Sequence, residues 1–184
     1  MLFRSSTEGT LLASGLIDGQ GSGGPGGLVW LLAPRVGLIR DAVVNVSGTT
    51  GGGTVLVGGD YQGKNPDIQN AWRTYFGADA IIRADAIESG NGGKVIVWAD
   101  DVNRVYGTIS ARGGELSGNG GFVETSGKSF LDFSASVNTY APHGTVGTLL
   151  LDPQDIDVRN AGGGNYNSGT NNLFANNIGA TTKI

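Results

Sequence analysis

Ser89-Gly90-Asn91-Gly92-Gly93-Lys94-Val95 is answered 28 residues later by Ser117-Gly118-Asn119-Gly120-Gly121-Phe122-Val123. In both copies a Gly/Asn turn runs straight into a β-branched strand start. Self-similarity at a fixed spacing of roughly 20–50 residues marks a repeat architecture and decides the fold before any single motif does. Working outward, a Gly-x-Val-like strand start also occurs at Gly27-Leu28-Val29, Gly53-Thr54-Val55 and Gly147-Thr148-Leu149. A second, independent landmark has the form Ile/Val-x-x and begins at Ile17, Val44, Ile82, Ile109 and Val137, with spacings of 27, 38, 27 and 28.

The strand after each glycine alternates, which puts Val29/Leu31/Ala33, Val55/Val57/Gly59, Val95/Val97/Ala99, Val123/Thr125/Gly127 and Leu149/Leu151 on one face by the period-two rule. A unit this small cannot bury its own apolar face and must stack on its neighbours. Within one unit we read strands near Val95–Ala99, Arg104–Tyr106 and Thr108–Ala111, then the turn 113–121. The sequence therefore predicts an all-β, right-handed parallel β-helix of about five coils of roughly 27 residues. At a strand spacing of ~4.8 Å, five coils make a stub ~24 Å long. A propeller or a β-sandwich is the runner-up, but the unit is short for a four-stranded blade of about 40–45 residues.

Composition agrees. Glycine fills 34 of 184 positions and charged residues only 15%, a balance that disfavours helix, where each glycine costs about 1 kcal/mol relative to alanine. Hydrophobic residues make up 39% and lie in β-branched runs, which separates the chain from low-complexity disorder. With no cysteine there is no disulfide, thiol chemistry or Cys-ligated zinc. A net charge of −4 supplies no basic stripe for phosphates, so nucleic acid is not expected as a partner, nor is membrane insertion, since no apolar run approaches the ~20 residues of a span. Residues 1–14 lack the pattern of a signal peptide, so the export signal of a secreted parent would lie upstream.

The stretch from Gly51, GGGTVLVGGDYQGKNPDIQNAWRTYFGADAIIRADAIESGNGGKVIVWADD, followed by GTISARGG, GNGGFVETSGKSFLDFS and GTVGTLLLDPQDIDV, resembles large exoproteins of the filamentous-haemagglutinin family, which are two-partner-secretion adhesins. The resemblance runs from about Gly51 to Val158, extends more weakly over Gly15 to Gly48, and fades after Asn160. It implies a block of the β-helical shaft beyond the N-terminal secretion domain, whose Asn-Pro-Asn motifs are absent; Asn65-Pro66-Asp67 is the nearest approach. It further implies a secreted or bacterial cell-surface protein, an outer-membrane transporter as partner during secretion, and a glycan or protein receptor on a host cell or other surface reached through the full-length protein. The expected function is structural and presentational, that of a non-catalytic display segment of an adhesin. Residues 1–158 form the shaft segment with an insertion near 61–77, and residues 159–184 an Asn/Gly-rich continuation or disordered tail. Neither end resembles a solenoid cap, so both ends are expected to be incomplete or poorly ordered.

Several short motifs imitate chemical sites. Gly21-Ser22-Gly23-Gly24-Pro25-Gly26 fits G-x-G-x-x-G but precedes a strand, Gly27-Leu28-Val29-Trp30, where a dinucleotide site needs a helix. The run from Gly121 to Ser129 imitates a P-loop, yet the required first glycine falls on Phe122. Calcium-binding nonapeptides are missing, because Gly-Asn-Gly-Gly is followed by Lys94 or Phe122. No cofactor or metal site is expected. Asn45-Val46-Ser47 fits the glycosylation acceptor, a weak three-residue pattern.

Parallel β-helices also carry polysaccharide hydrolases and lyases, which makes a carbohydrate-active enzyme the alternative from another class. Glycoside hydrolysis needs two carboxylates roughly 5–9.5 Å apart, one of raised pKa. Asp100-Asp101 is the best adjacent pair, with Glu124, Asp132, Asp152, Asp155 and Asp157 beyond. The only histidine, His143, sits between Pro142 and Gly144, and no Arg-x-Lys follows it. These acids read as solvated turn residues and His143 as a turn residue, so no catalytic residue is assigned.

The 38-residue spacing between Val44 and Ile82 exceeds one coil by 11. The excess predicts an excursion over 61–77, with a short helical turn at Asp67–Trp72. Its aromatics Trp72, Tyr75 and Phe76, together with Trp98 on the next coil, are the candidate ligand or loop-packing residues. Ile96 and Trp98 are unusually apolar for outward positions, so the excursion is expected to fold over them. Of two strand positions, Val97 should tolerate no charge, whereas Lys94 should be replaceable at little cost.

Overall fold

The computed structural model describes residues 2–5 and 8–153. Among the described residues sixteen strands wind into three parallel sheets. The first contains β1 (Leu2–Ser5), β4 (Leu28–Leu32), β7 (Thr54–Val57), β10 (Lys94–Ala99), β13 (Phe122–Gly127) and β16 (Thr148–Leu150). The second contains β2 (Thr10–Ala13), β5 (Arg35–Leu38), β8 (Arg73–Phe76), β11 (Val102–Val105) and β14 (Phe130–Phe133). The third contains β3 (Leu16–Asp18), β6 (Val43–Asn45), β9 (Ile81–Arg83), β12 (Thr108–Ser110) and β15 (Ser136–Asn138). Each coil visits the three sheets in turn, and the chain is a parallel β-solenoid of five coils with β16 opening a sixth.

Both sequence landmarks are rungs of this ladder. Val29, Val55, Val95, Val123 and Leu149 are successive register partners in the first sheet, as are Ile17, Val44, Ile82, Ile109 and Val137 in the third. Inside, the columns merge into one core that includes Leu31, Leu38, Phe76, Val97 and Val105. Each such side chain, removed from water, contributes roughly 1.5–3 kcal/mol. The paired glycines have a steric reason: a Cβ on Gly92 would run into the carbonyl oxygen of Ala111, and one on Gly120 into that of Thr139, so the corner closes only without side chains.

Polar groups enter where the coil turns from the first sheet to the second. The Asn103 Nδ2 donates to the carbonyls of Val97 (2.7 Å) and Ser126 (3.0 Å), and the Thr74 hydroxyl donates to that of Trp98 (2.6 Å). Asn103 is fully buried, and its two bonds tie neighbouring coils at a corner where strand pairing is interrupted. Gly59, expected to continue an inward column after Val57, instead has φ +154° and lies where the chain leaves the coil. The expected tail 159–184, and Asp155 and Asp157, lie outside the described residues.

Candidate functional site: the strapped outer face of the first sheet

Outward side chains of the first sheet also stack. Trp30, Leu56, Ile96, Glu124 and Leu150 are register partners, and Trp98 pairs with Ser126 in the next outward column. Most of this face is apolar, and left bare it would hold a contiguous hydrophobic patch in water. It is covered. Between β7 and β8 the chain leaves the coil at Gly58 and returns at Trp72, laying a strap across the sheet. The excursion thus starts and ends earlier than the 61–77 read from the sequence, because Arg73–Phe76 is strand β8.

The helical turn is misplaced in the sequence reading as well. A single 3-10 turn occupies Tyr61–Gly63, capped by Asp60, whose Oδ1 accepts from the Tyr61 N–H at 2.8 Å. At Asp67, where helix was expected, the backbone instead makes a turn, with the Ile68 N–H bonded to the Asn65 carbonyl and the Asp67 N–H to Asn65 Oδ1. Pro66 suits the second position of such a turn, and the Asn65 side chain satisfies the donor that a helix would have used.

Cover is achieved by other residues than the sequence suggested. Ile68 packs into a cluster with Leu32, Leu56, Ile96 and Trp98. The strap backbone lies flat on the Trp98 indole, so close that a Cβ on Gly63 would stand 2.5 Å from Cε2. Tyr61 meets Phe122 edge-on at 5.8 Å. Ile96 and Trp98 end fully or almost fully buried. Trp72 and Tyr75 have moved away from this face: Trp72 lies beneath the guanidinium groups of Arg73 (4.3 Å) and Arg35 (5.6 Å), and Tyr75 packs edge-on against Tyr106 at 5.9 Å. Phe76 is sealed in the core.

Polar pins hold the strap down. Lys94 Nζ donates to Asp60 Oδ1 at 2.6 Å, and Asn70 Nδ2 donates to the Gly63 carbonyl (2.9 Å) and to Asp100 Oδ1 (3.2 Å). The Gln62 N–H points at both carboxylate oxygens of Glu124, 3.1 Å from each, and Gln62 Nε2 donates to Asp152 Oδ2 at 2.9 Å. Gln62 adopts φ +53°, a left-handed conformation that an unbranched side chain takes only when its surroundings enforce it.

Glu124 corrects the sequence reading of these acids. It is a fully buried strand residue of β13, not a solvated turn acid. Burial pushes its carboxyl up to about 7, against the lowering bonds from Gln62 and Ser126, while nearby Asp152 pushes it higher. Asp60 goes the other way: burial alone would raise it, but bonds from Asn65, Lys94 and the Tyr61 N–H outweigh that and hold it below the usual carboxylate range.

An acid of raised pKa is what glycoside cleavage asks for, yet Glu124 is covered by Gln62 and presents no oxygen to an incoming substrate. The adjacent pair splits its attention, Asp100 accepting from Trp98 Nε1 (2.9 Å) and Asp101 from Arg73 Nε (3.1 Å). Asp132 accepts from the Tyr106 hydroxyl at 2.6 Å, and His143 is exposed. Among the described residues no group of three or more His, Cys, Asp or Glu is placed to hold a metal. These contacts fasten the strap to the sheet beneath it.

The fold and strap define a class: a parallel β-solenoid whose first sheet is dressed by an excursion from its own coil. The chain is similar to the HMW1 secretion domain from Haemophilus influenzae, with a TM-score of 0.61 and 30% identity over 82% of this chain. The match spans 42% of that domain's chain. No family model and no curated protein matches the chain.

Proposed function

We propose that the chain is a shaft segment of a large exported exoprotein of the filamentous-haemagglutinin type, extending and displaying the binding regions of an adhesin without catalysing a reaction. The observation that carries the shaft reading is the unbroken in-register stacking of five coils; the likeness to the HMW1 secretion domain supports export alone. A solenoid grows by adding coils to an existing end, so its length can be set by repeat number alone. The same likeness, and the residues that resemble two-partner-secretion adhesins, support passage through a dedicated outer-membrane transporter. Stacking in which each strand pairs with its counterpart one coil before it suits a chain that folds progressively as it emerges.

An antibody raised against this chain should label intact cells that express the full-length parent with its transporter, and labelling should vanish when the transporter is deleted. Retention of the segment inside the cell in both strains would overturn the export reading. A turnover assay on acidic glycans addresses catalysis: product formation abolished by Glu124→Gln or Asp100→Asn would replace the shaft with a carbohydrate-active enzyme.

A further inference from the structure

The outer face of the second sheet carries no strap, and its chemistry differs from the first. Arg35 and Arg73 are register partners on β5 and β8, and one column over, Gly37, Tyr75 and Arg104 follow one another on β5, β8 and β11. Neighbouring strands lie about 4.8 Å apart, so two guanidinium stems stand side by side, a like-charge pairing that disfavours itself unless an anion joins it. Trp72 orders both groups by stacking. Asp101 engages only the Nε of Arg73, and no described carboxylate forms an ion pair with Arg35 or Arg104.

Arg35, Gly37, Arg73, Tyr75 and Arg104 line one groove of about 410 Å³, together with Thr10. Gly37 makes its dent: a Cβ there would stand 2.9 Å from Leu12 Cδ2. Tyr75 is 41% exposed at the groove and is steadied by Tyr106, whose hydroxyl is in turn held by Asp132. In a chain of net charge −4, three arginines meeting in one depression is a local arrangement and not a general basic character.

We propose that this groove binds an acidic saccharide, its carboxylate held by Arg35 and Arg104 and its ring lying against Tyr75. A guanidinium presents a planar fork that matches a planar carboxylate with two parallel bonds, and an aromatic face suits the C–H surface of a pyranose. The cations are confined to one short depression edged by Asp101 and Asp132, whereas nucleic acid asks for a stripe that follows a run of phosphates. The groove's chemistry is independent of how the chain is exported.

Calorimetry on the whole chain with an oligogalacturonide, its methyl-esterified form and dextran sulfate tests the assignment. The carboxylated oligomer should bind, and esterification should weaken it by about tenfold or more, the loss expected for one charge-assisted contact. Arg35→Gln and Arg104→Gln should each weaken it about tenfold, as should Tyr75→Ala, with thermal unfolding unchanged, while Lys128→Gln leaves binding intact. No binding at millimolar oligomer, or equal binding of the esterified form, overturns the proposal. So does dextran sulfate binding as tightly as the oligogalacturonide in wild type and Arg35→Gln alike, which would mean unspecific attraction of polyanions.

Discussion

The first and second sheets are built on the same coils by the same strand-forming residues, yet one outer face is sealed and the other bare. On the first, Ile96 and Trp98 lie under a strap drawn from the chain itself. On the second, Arg35, Arg73, Tyr75 and Arg104 stand in solvent at equivalent outward positions. The solenoid asks for inward columns that are apolar or, as at Thr74 and Asn103, bonded to corner carbonyls; what stands on the outside is free to differ sheet by sheet. A large apolar side chain outside demands a cover, and a charged one does not.

Substitutions should separate the two faces, beginning with the core they share. Val97→Asp places an unpaired charge between stacked coils at a fully buried position and should cost several kcal/mol, at least ~3, seen as loss of protease resistance. Trp98→Ala should cost about 3 kcal/mol in denaturant unfolding, because it empties the space beneath the strap, whereas Tyr75→Ala on the bare sheet should change stability by less than about 1 kcal/mol. Equal costs at Trp98 and Tyr75 would break the contrast.

The next effect depends on pH. Glu124 is raised from 4.5 to about 7 in the folded chain, so the folded state holds its proton after the unfolded chain has released it. Its contribution is full below pH 4.5, declines as pH rises, and is gone above about 7. Asp60, lowered in the fold, acts with the opposite sign and only in more acid solution, its contribution lost as pH falls. Denaturant midpoints should therefore fall between pH 4.5 and 7 in the wild type more steeply than in Glu124→Gln, which should be the more stable of the two at pH 8. Identical pH profiles would show that the strap does not press on this carboxyl. Smallest of all, Lys94→Ala removes a partly exposed ion pair to Asp60 and should cost less than about 1 kcal/mol, though strap proteolysis should quicken measurably.

The columns that define the coil were legible because each landmark repeats: Ile17, Val44, Ile82, Ile109 and Val137 announce one another. The 11-residue excess announced a strap, and the apolar outward pair Ile96 and Trp98 announced what it would cover. Its interior was not legible, since nothing in it repeats. Trp72 reads as a covering aromatic until Arg35, distant in sequence, is seen to be within stacking range. Nothing in the sequence tells that Asp60 of the strap meets the Lys94 ammonium. Glu124 carried an available signal: one coil from Ile96 on the same outward column, it belonged to the covered face and not to a turn.

The strap's pins have a consequence for load. In a solenoid pulled end to end, successive coils bear tension in series, and the backbone hydrogen bonds between one coil and the next form the weakest link in turn. Between Gly58 and Trp72 the chain departs from that scheme, because Asp60 fastens to Lys94 in the fourth coil, Gln62 to Glu124 in the fifth, and Gln62 again to Asp152 beyond β16. Those fastenings run alongside the ladder from the third coil to the sixth, so over that length the load is shared in parallel. The stub is a rope with a splice, and under force the described coils should part ahead of the splice, among the first three, before they part within it.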